Sequence, residues 1–172
     1  MVKRLLSSLL IALFLLASPC FATPQQDFID SIAWRAHDIL PEQGIWASAF
    51  IAQSCLESGF GTSWLYQNAG NPFGRKCGHE PCVEIMTPEE HDGVQVLEPH
   101  KFQMYGSLSE AIQDYADFIN RRYASGARVY NIDARTPFTY IDSIAKHYAS
   151  DSRYAWKVKS IIYEYDLQKY DW

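Results

Sequence analysis

Glu57 is the residue whose setting could do chemistry. It closes an apolar run and stands directly before a glycine turn, in Ala52-Gln53-Ser54-Cys55-Leu56-Glu57-Ser58-Gly59-Phe60-Gly61-Thr62-Ser63. If the run is a helix, this carboxyl sits at its C-terminus, where the backbone dipole is negative and disfavours the ionised form. Apolar neighbours such as Leu56 and Phe60 add a desolvation cost, and both effects raise a carboxyl pKa. A carboxylic acid that holds its proton near neutral pH is what protonates the leaving oxygen when a glycosidic bond is cut. The same local pattern also describes a solvated glutamate near a helix end, and spacing does not separate the two.

The cysteines are the second group with chemical potential. Cys77 and Cys82 are close in sequence and could close a small disulfide loop; a zinc site with His79 would lack a fourth ligand and the usual paired spacing. Cys55, inside the apolar run, reads as a buried free thiol.

The elements that must position these residues can be read from periodicity and punctuation. Phe28, Ile29, Ile32, Ala33, Ala36 and Ile39 recur at helical spacing, which predicts a helix over 27–40. Pro41 suits the first turn of a second, strongly apolar helix over 42–56, which Gly59 ends, with one further turn at 62–66. Residues 67–81 hold three glycines and two prolines and read as a loop. Short β-type runs at 83–86 and 94–97 flank His91-Asp92-Gly93, and 101–105 could add a third strand. Ser107 with Glu110 predicts a capped helix to about 123, Thr136-Pro137 one to about 148, and Asp151 or Ser152 a last one to about 165. The sum is a mainly helical α+β domain with one small hairpin.

Residues 1–22 read as a secretion signal: Lys3 and Arg4, an apolar run over 5–17, then compact residues up to Ala22. An uncleaved anchor and lipidation at Cys20, for which Pro19 is a poor preceding residue, are the alternatives. The remaining 150 residues suit one domain with a real core, here 23–172, exported to the periplasm or secreted. They carry 13 basic and 20 acidic residues, a net charge near −7, which argues against nucleic acid as partner and leaves substrate binding to aromatics and hydrogen bonds.

Glu57-Ser58-Gly59-Phe60-Gly61-Thr62-Ser63 resembles the signature of glycoside hydrolase family 73, the bacterial peptidoglycan endo-β-N-acetylglucosaminidases that include the hydrolase domain of the flagellar rod protein. The likeness continues in register. Gly70-Asn71-Pro72-Phe73-Gly74 is similar to the family's asparagine–leucine–phenylalanine–glycine loop, with Pro72 in place of leucine. Thr87-Pro88-Glu89 is similar to its threonine–any–glutamate strand end, and 102–115 to its strand-to-helix segment. His147-Tyr148-Ala149-Ser150-Asp151 with Tyr154-Ala155 resembles its tyrosine–alanine–threonine–aspartate block, and 161–171 matches its end.

The resemblance implies a lysozyme-like fold and cleavage of the β-1,4 bond between N-acetylglucosamine and N-acetylmuramic acid, with no metal or other cofactor. Glu57 would be the general acid. By family position the second carboxylate is Glu89, with Glu84 and Glu90 as competitors; Tyr148 matches the family's cleft tyrosine; and the substrate's own N-acetyl group is a third route. Asn71, Phe73 and Tyr105 are the candidates for binding substrate, with Phe73 equally suited to anchoring its loop. Trp64, Tyr66 and Tyr115 could line a groove or fill the core. The partner implied is the peptidoglycan glycan strand. A monomer is expected, relying for targeting on an envelope-machine partner or on its own cleft. Two other readings stay open: a non-catalytic peptidoglycan-binding or assembly factor, and a lytic transglycosylase.

Overall fold

The first helix, α1 (Pro24–Ile39), starts where the sequence supplies a cap. The Thr23 hydroxyl accepts from the Gln26 amide at 3.2 Å and Pro24 takes the first turn. Its stripe of Phe28, Ile29, Ile32, Ala33 and Ala36 is buried. The computed structural model describes residues 23–91, 94–124 and 133–171, without the side chains of 89–91 and 123–124. The segment read as a secretion signal and the 92–93 turn lie outside the described residues. Among the described residues no helix is long and apolar enough to cross a membrane.

Pro41 does not open the second helix. It opens a 3-10 turn, Pro41–Gln43, which Gly44 ends in the left-handed region, and a helix cannot run through that conformation. Helix α2 (Ala47–Ser58) therefore begins five residues later than the sequence suggests. Ten of its twelve residues are buried, with α1, the later helices α5 and α6 and the C-terminal turn around it. At its middle, Phe50 meets Phe73 and Tyr115 edge-on, with centroids 4.8 and 5.1 Å away. Removing such a fully buried ring costs about 3–5 kcal/mol.

Helix α3 (Trp64–Ala69) is capped by Ser63. Strands β1 (Cys82–His91) and β2 (Val94–Gln103) pair antiparallel as a two-stranded sheet, longer than the short runs expected, with Lys101–Gln103 ending β2 rather than forming a third strand. The root of the hairpin is buried through Phe102 and Gln103, while Met86, Val94 and Leu97 further out are exposed.

Helices α4 (Leu108–Ala124), α5 (Pro137–Tyr148) and α6 (Tyr154–Glu164) complete the mainly helical body. Ser107 accepts from the Glu110 amide at 3.2 Å, while the Glu110 carboxylate accepts from Gly106 at 2.8 Å, one residue before the cap. Thr136 and Thr139 form a reciprocal capping box at α5. Asp151 accepts from the Arg153 amide at the start of α6 and pairs with Lys157 at 2.6 Å.

No side chain of its own N-cap serves α2. Asp171, 123 residues on, accepts from the Ser48 amide at 2.8 Å and places its carboxylate against the positive end of the helix. The chain's last turn thus closes onto its central helix. Asp171→Ala is expected to cost about 1–2 kcal/mol, as loss of a helix cap does, read as a lowered midpoint in urea with an unchanged slope.

Candidate active site

Glu57 is the exposed residue of α2. The helix runs through the core and reaches solvent only in its last turn, at Leu56 and Glu57, so the core presents a carboxyl from a rigid support. Gly59 ends the helix in the left-handed region (φ 57°), and its N–H returns to the Cys55 carbonyl. Phe60 follows with φ 55°, a costly conformation for a residue with a side chain. It is held by its amide on the Cys55 carbonyl at 2.8 Å and by its ring on Tyr165 at 5.4 Å.

The other residues of the turn lock it. Ser58 is buried; its hydroxyl donates to the Ser54 carbonyl at 2.6 Å and accepts from Gly61 N–H at 2.8 Å, while its carbonyl accepts from Ser63 N–H at 2.9 Å. Thr62 donates to the Gly59 carbonyl at 2.8 Å. Gly61 lies so close to the Phe28 ring that an added Cβ would stand 2.4 Å from it. Each residue from Ser58 to Ser63 thus has a structural reason, and each reason bears on where Glu57 points.

The Glu57 carboxyl lies beside α6. Loss of hydration in that corner raises its pKa above the ordinary glutamate value, and a hydrogen bond from Tyr154 works the other way. Tyr154 is buried, accepts from Gln53 Nε2 at 2.9 Å and stacks on Tyr148 with centroids 5.5 Å apart and an interplanar angle of 26°. Tyr148 is half-buried and also meets Phe118 edge-on at 6.4 Å. The structure therefore gathers Glu57, Tyr154 and Tyr148 at one place.

Across the hairpin, position 89 pairs with Val96 and is in phase with Val83, Ile85 and Thr87. Positions 84 and 90 are out of phase with it in the register. The Glu89 and Glu90 side chains lie outside the described residues.

Comparison with known proteins gives the lineage. The family model described as mannosyl-glycoprotein endo-β-N-acetylglucosaminidase, Glucosaminidase, matches residues 33–167. The chain belongs to this glucosaminidase family. An N-acetylmuramoyl-L-alanine amidase domain-containing protein of Staphylococcus aureus is 34% identical over 152 residues, which are 85% of this chain and 25% of that protein. The exo-glucosaminidase LytG of Bacillus subtilis is 32% identical over 153 residues, 86% of this chain and 54% of LytG. The chain thus spans between a quarter and about half the length of these relatives. Among solved structures, the catalytic domain of the autolysin Auto from Listeria monocytogenes matches with a TM-score of 0.82 at 30% identity, covering 90% of this chain and 92% of that one. The helical body and small hairpin are those of this lysozyme-like catalytic fold, as the motifs implied.

Within the glucosaminidase domain the residues expected to bind substrate separate. Asn71 is buried, donating Nδ2 to the carbonyls of Arg75 and Gln103 (3.0 and 2.9 Å) and accepting at Oδ1 from the amides of Phe73 and Arg75 (3.2 and 3.1 Å). Both donors and both acceptor positions are committed to backbone, so it shapes its loop and ties it to β2 instead of offering an amide to a sugar. Phe73 anchors that loop, stacked on Tyr115 at 4.8 Å. Tyr105 is buried, and its hydroxyl donates to Asp114 at 2.6 Å beside Arg75; burial first, then that bond, push the phenol well up. Its hydroxyl is committed to the base of the fold. Tyr115, too, belongs to the core, whereas Trp64 is exposed.

Cys77 and Cys82 are joined in a disulfide with Cα atoms 5.8 Å apart, so their sulfurs are not available as a zinc pair. Buried Gln103 fastens that loop, donating to the His79 and Pro81 carbonyls and accepting from the amides of Gly78 and His79. Cys55 is a buried free thiol, pushed up to about 12 by burial.

Two residues of the site escaped the sequence reading. Gln53 stands one helical turn before Glu57 on the same face of α2, a polar residue in an apolar run, and that spacing was the available signal. Tyr154 lay inside a recognised block without a role.

The turn makes a differential prediction. Gly61→Ala meets both a left-handed backbone and the Phe28 ring, whereas Gly44→Ala meets the backbone penalty with nothing within 4 Å. Gly44→Ala should cost about 1–2 kcal/mol, and Gly61→Ala about 1–3 kcal/mol more from overpacking, compared by denaturant unfolding. Equal losses would show that the Phe28 contact does not constrain the turn.

Proposed function

We propose that this chain is a peptidoglycan hydrolase that cleaves the β-1,4 bond between N-acetylglucosamine and N-acetylmuramic acid, with Glu57 as general acid. The observation that carries the reading is the placement of Glu57: the one residue of a buried helix that is exposed, its carboxyl partly desolvated beside α6, in a chain of the glucosaminidase family. Burial biases it towards the protonated form that a leaving glycosidic oxygen requires. The basic, apolar start of residues 1–22 supports export to the compartment where that polymer lies.

Glu89 is the second carboxylate of this proposal, on the hairpin and out of phase with Glu84 and Glu90. It would act as base on a water or as nucleophile, according to its separation from Glu57. Tyr148, stacked on Tyr154 beside Glu57, would orient the N-acetyl group or a water. A cleft that binds glycan without cutting it is the contrasting reading, motivated by Pro88 beside Glu89 and by the net charge near −7 of residues 23–172.

The test is digestion of purified sacculi with mass analysis of the products. Wild type should release muropeptides with new reducing N-acetylglucosamine ends, and Glu57→Gln should abolish release. 1,6-Anhydro ends would indicate a transglycosylase instead. Full activity in the Glu57→Gln protein would remove Glu57 from the mechanism. Because Glu57's pKa is raised, activity should fall as pH rises through it.

Stability should fall in the same direction. The folded state binds the Glu57 proton more tightly than the unfolded state does, so ionising Glu57 costs stability as pH rises. The inactive Glu57→Gln protein should therefore gain melting temperature over wild type at pH 8, and the gain should vanish near pH 4.

A further inference from the structure

The hydrogen bonds behind Glu57 have a direction that follows from counting donors. Tyr115 is fully buried and its one hydroxyl proton goes to Gln53 Oε1, so the Tyr140 hydroxyl, 3.2 Å away, is the donor of the Tyr140–Tyr115 bond. That bond fixes which end of the Gln53 amide faces Tyr115, leaving Nε2 to face Tyr154, and Nε2 can only donate. The Tyr154 oxygen is then an acceptor towards Gln53, so its own O–H is directed away from Gln53, and Glu57, one helical turn after Gln53 on the same face of α2, is the acceptor beside it. Gln53 has no exposed surface and Tyr154 almost none, so water does not compete for these bonds. A buried glutamine on the catalytic helix, with both ends of its amide held by tyrosines from two other helices, is costly to leave half-satisfied. Packing alone would have been served by an apolar residue.

We propose that Tyr115 and Gln53 form a buried relay that aims the Tyr154 hydroxyl proton at the Glu57 carboxyl, making all three positioning residues for the acid. The inference rests on Glu57 being the acid and adds how that acid is held. As Glu57 gives up its proton to the leaving oxygen, negative charge develops on it, and a fixed donor 

stabilises that charge without reorganising. The relay also opposes burial: desolvation favours the protonated form, the Tyr154 donor the ionised one. The titratable groups at this corner are Tyr154 from α6, Tyr148 from the end of α5 and, behind them, Tyr115 from α4 and Tyr140 from α5. Among the described residues no cation pairs with Glu57.

The experiment is a carbon-13 titration of the Glu57 carboxyl in the whole protein, with Glu57→Gln identifying the resonance, alongside the pH profile of sacculus digestion. It reads the proton on Glu57 whether or not the protein cuts glycan, so failure of the hydrolase reading and failure of the relay are separate results. Tyr154→Phe removes the last donor and should raise the Glu57 pKa by about one unit. Tyr115→Phe touches neither Glu57 nor substrate, but frees the Gln53 amide to turn over and accept the Tyr154 proton; it should move the pKa the same way. Should Tyr115→Phe fail to fold, 3-fluorotyrosine at position 115 keeps the shape and strengthens the first donor, and should lower the Glu57 pKa. An unchanged Glu57 titration in a folded Tyr115→Phe protein, or no downward shift with 3-fluorotyrosine, would overturn the relay.

Discussion

A helix buried along nearly its whole length constrains everything around it. Helix α2 has ten buried residues of twelve, so neither its backbone ends nor its polar side chains can rely freely on water. Its N-terminal end is met by Asp171 from the end of the described chain, and its C-terminal end by the Ser58–Ser63 turn. Gln53, inside it, is met by tyrosines from α4 and α6. What remains exposed is Glu57. The fold converts the rigidity of a core helix into the position of one carboxyl, which explains why a motif that reads as chemistry is made mostly of residues whose role is backbone geometry.

The hairpin obeys a different constraint. Two strands by themselves are marginal in water, so the hairpin depends on its root. There the structure concentrates buried amides: Gln103 holds the disulfide loop, Asn71 holds the 71–75 loop against β2, and Lys76 lies over the Phe102 ring at 4.3 Å. Further out, Met86, Val94 and Leu97 are exposed and contribute little to the core. Stability is thus graded along the hairpin, firm at the base and weaker towards the end that carries position 89.

Much of this was legible in sequence because it rests on local rules. The apolar stripe of α1, the capping residues Thr136 and Ser107, and the glycine after Ser58 each act within a few residues, and each appears where periodicity places it. The start of α2 was misread because Pro41 suits a 3-10 turn as well as a helix, and only Gly44's conformation decides. The ligand-facing guesses diverged for a related reason. Asn71, Phe73 and Tyr105 have side chains that could serve sugar or core, and their partners, Gln103, Tyr115 and Asp114, come from 9 to 42 residues away. Tyr154 and Gln53 were hidden likewise, since their contact spans 101 residues.

A general acid placed this way is subject to opposed demands. Burial alone would hold the proton too firmly for efficient transfer, and full exposure would lose it at neutral pH. Withdrawing Glu57 from water raises its pKa, and the Tyr154 hydroxyl draws it back. The two effects come from different parts of the chain: the crowded end of α2 supplies the first, and α6 supplies the second. The contacts among α2, α5 and α6 that hold the core together therefore also set the distance over which that compensation acts. A substitution that loosens the packing of α6 on α2 would disturb the acid even without touching it, because the donor and the carboxyl belong to different helices. Proton affinity at the site is in this sense a property of helix packing, which is why the buried tyrosines and Gln53, far from any sugar, belong to the explanation of the site as much as Glu57 does.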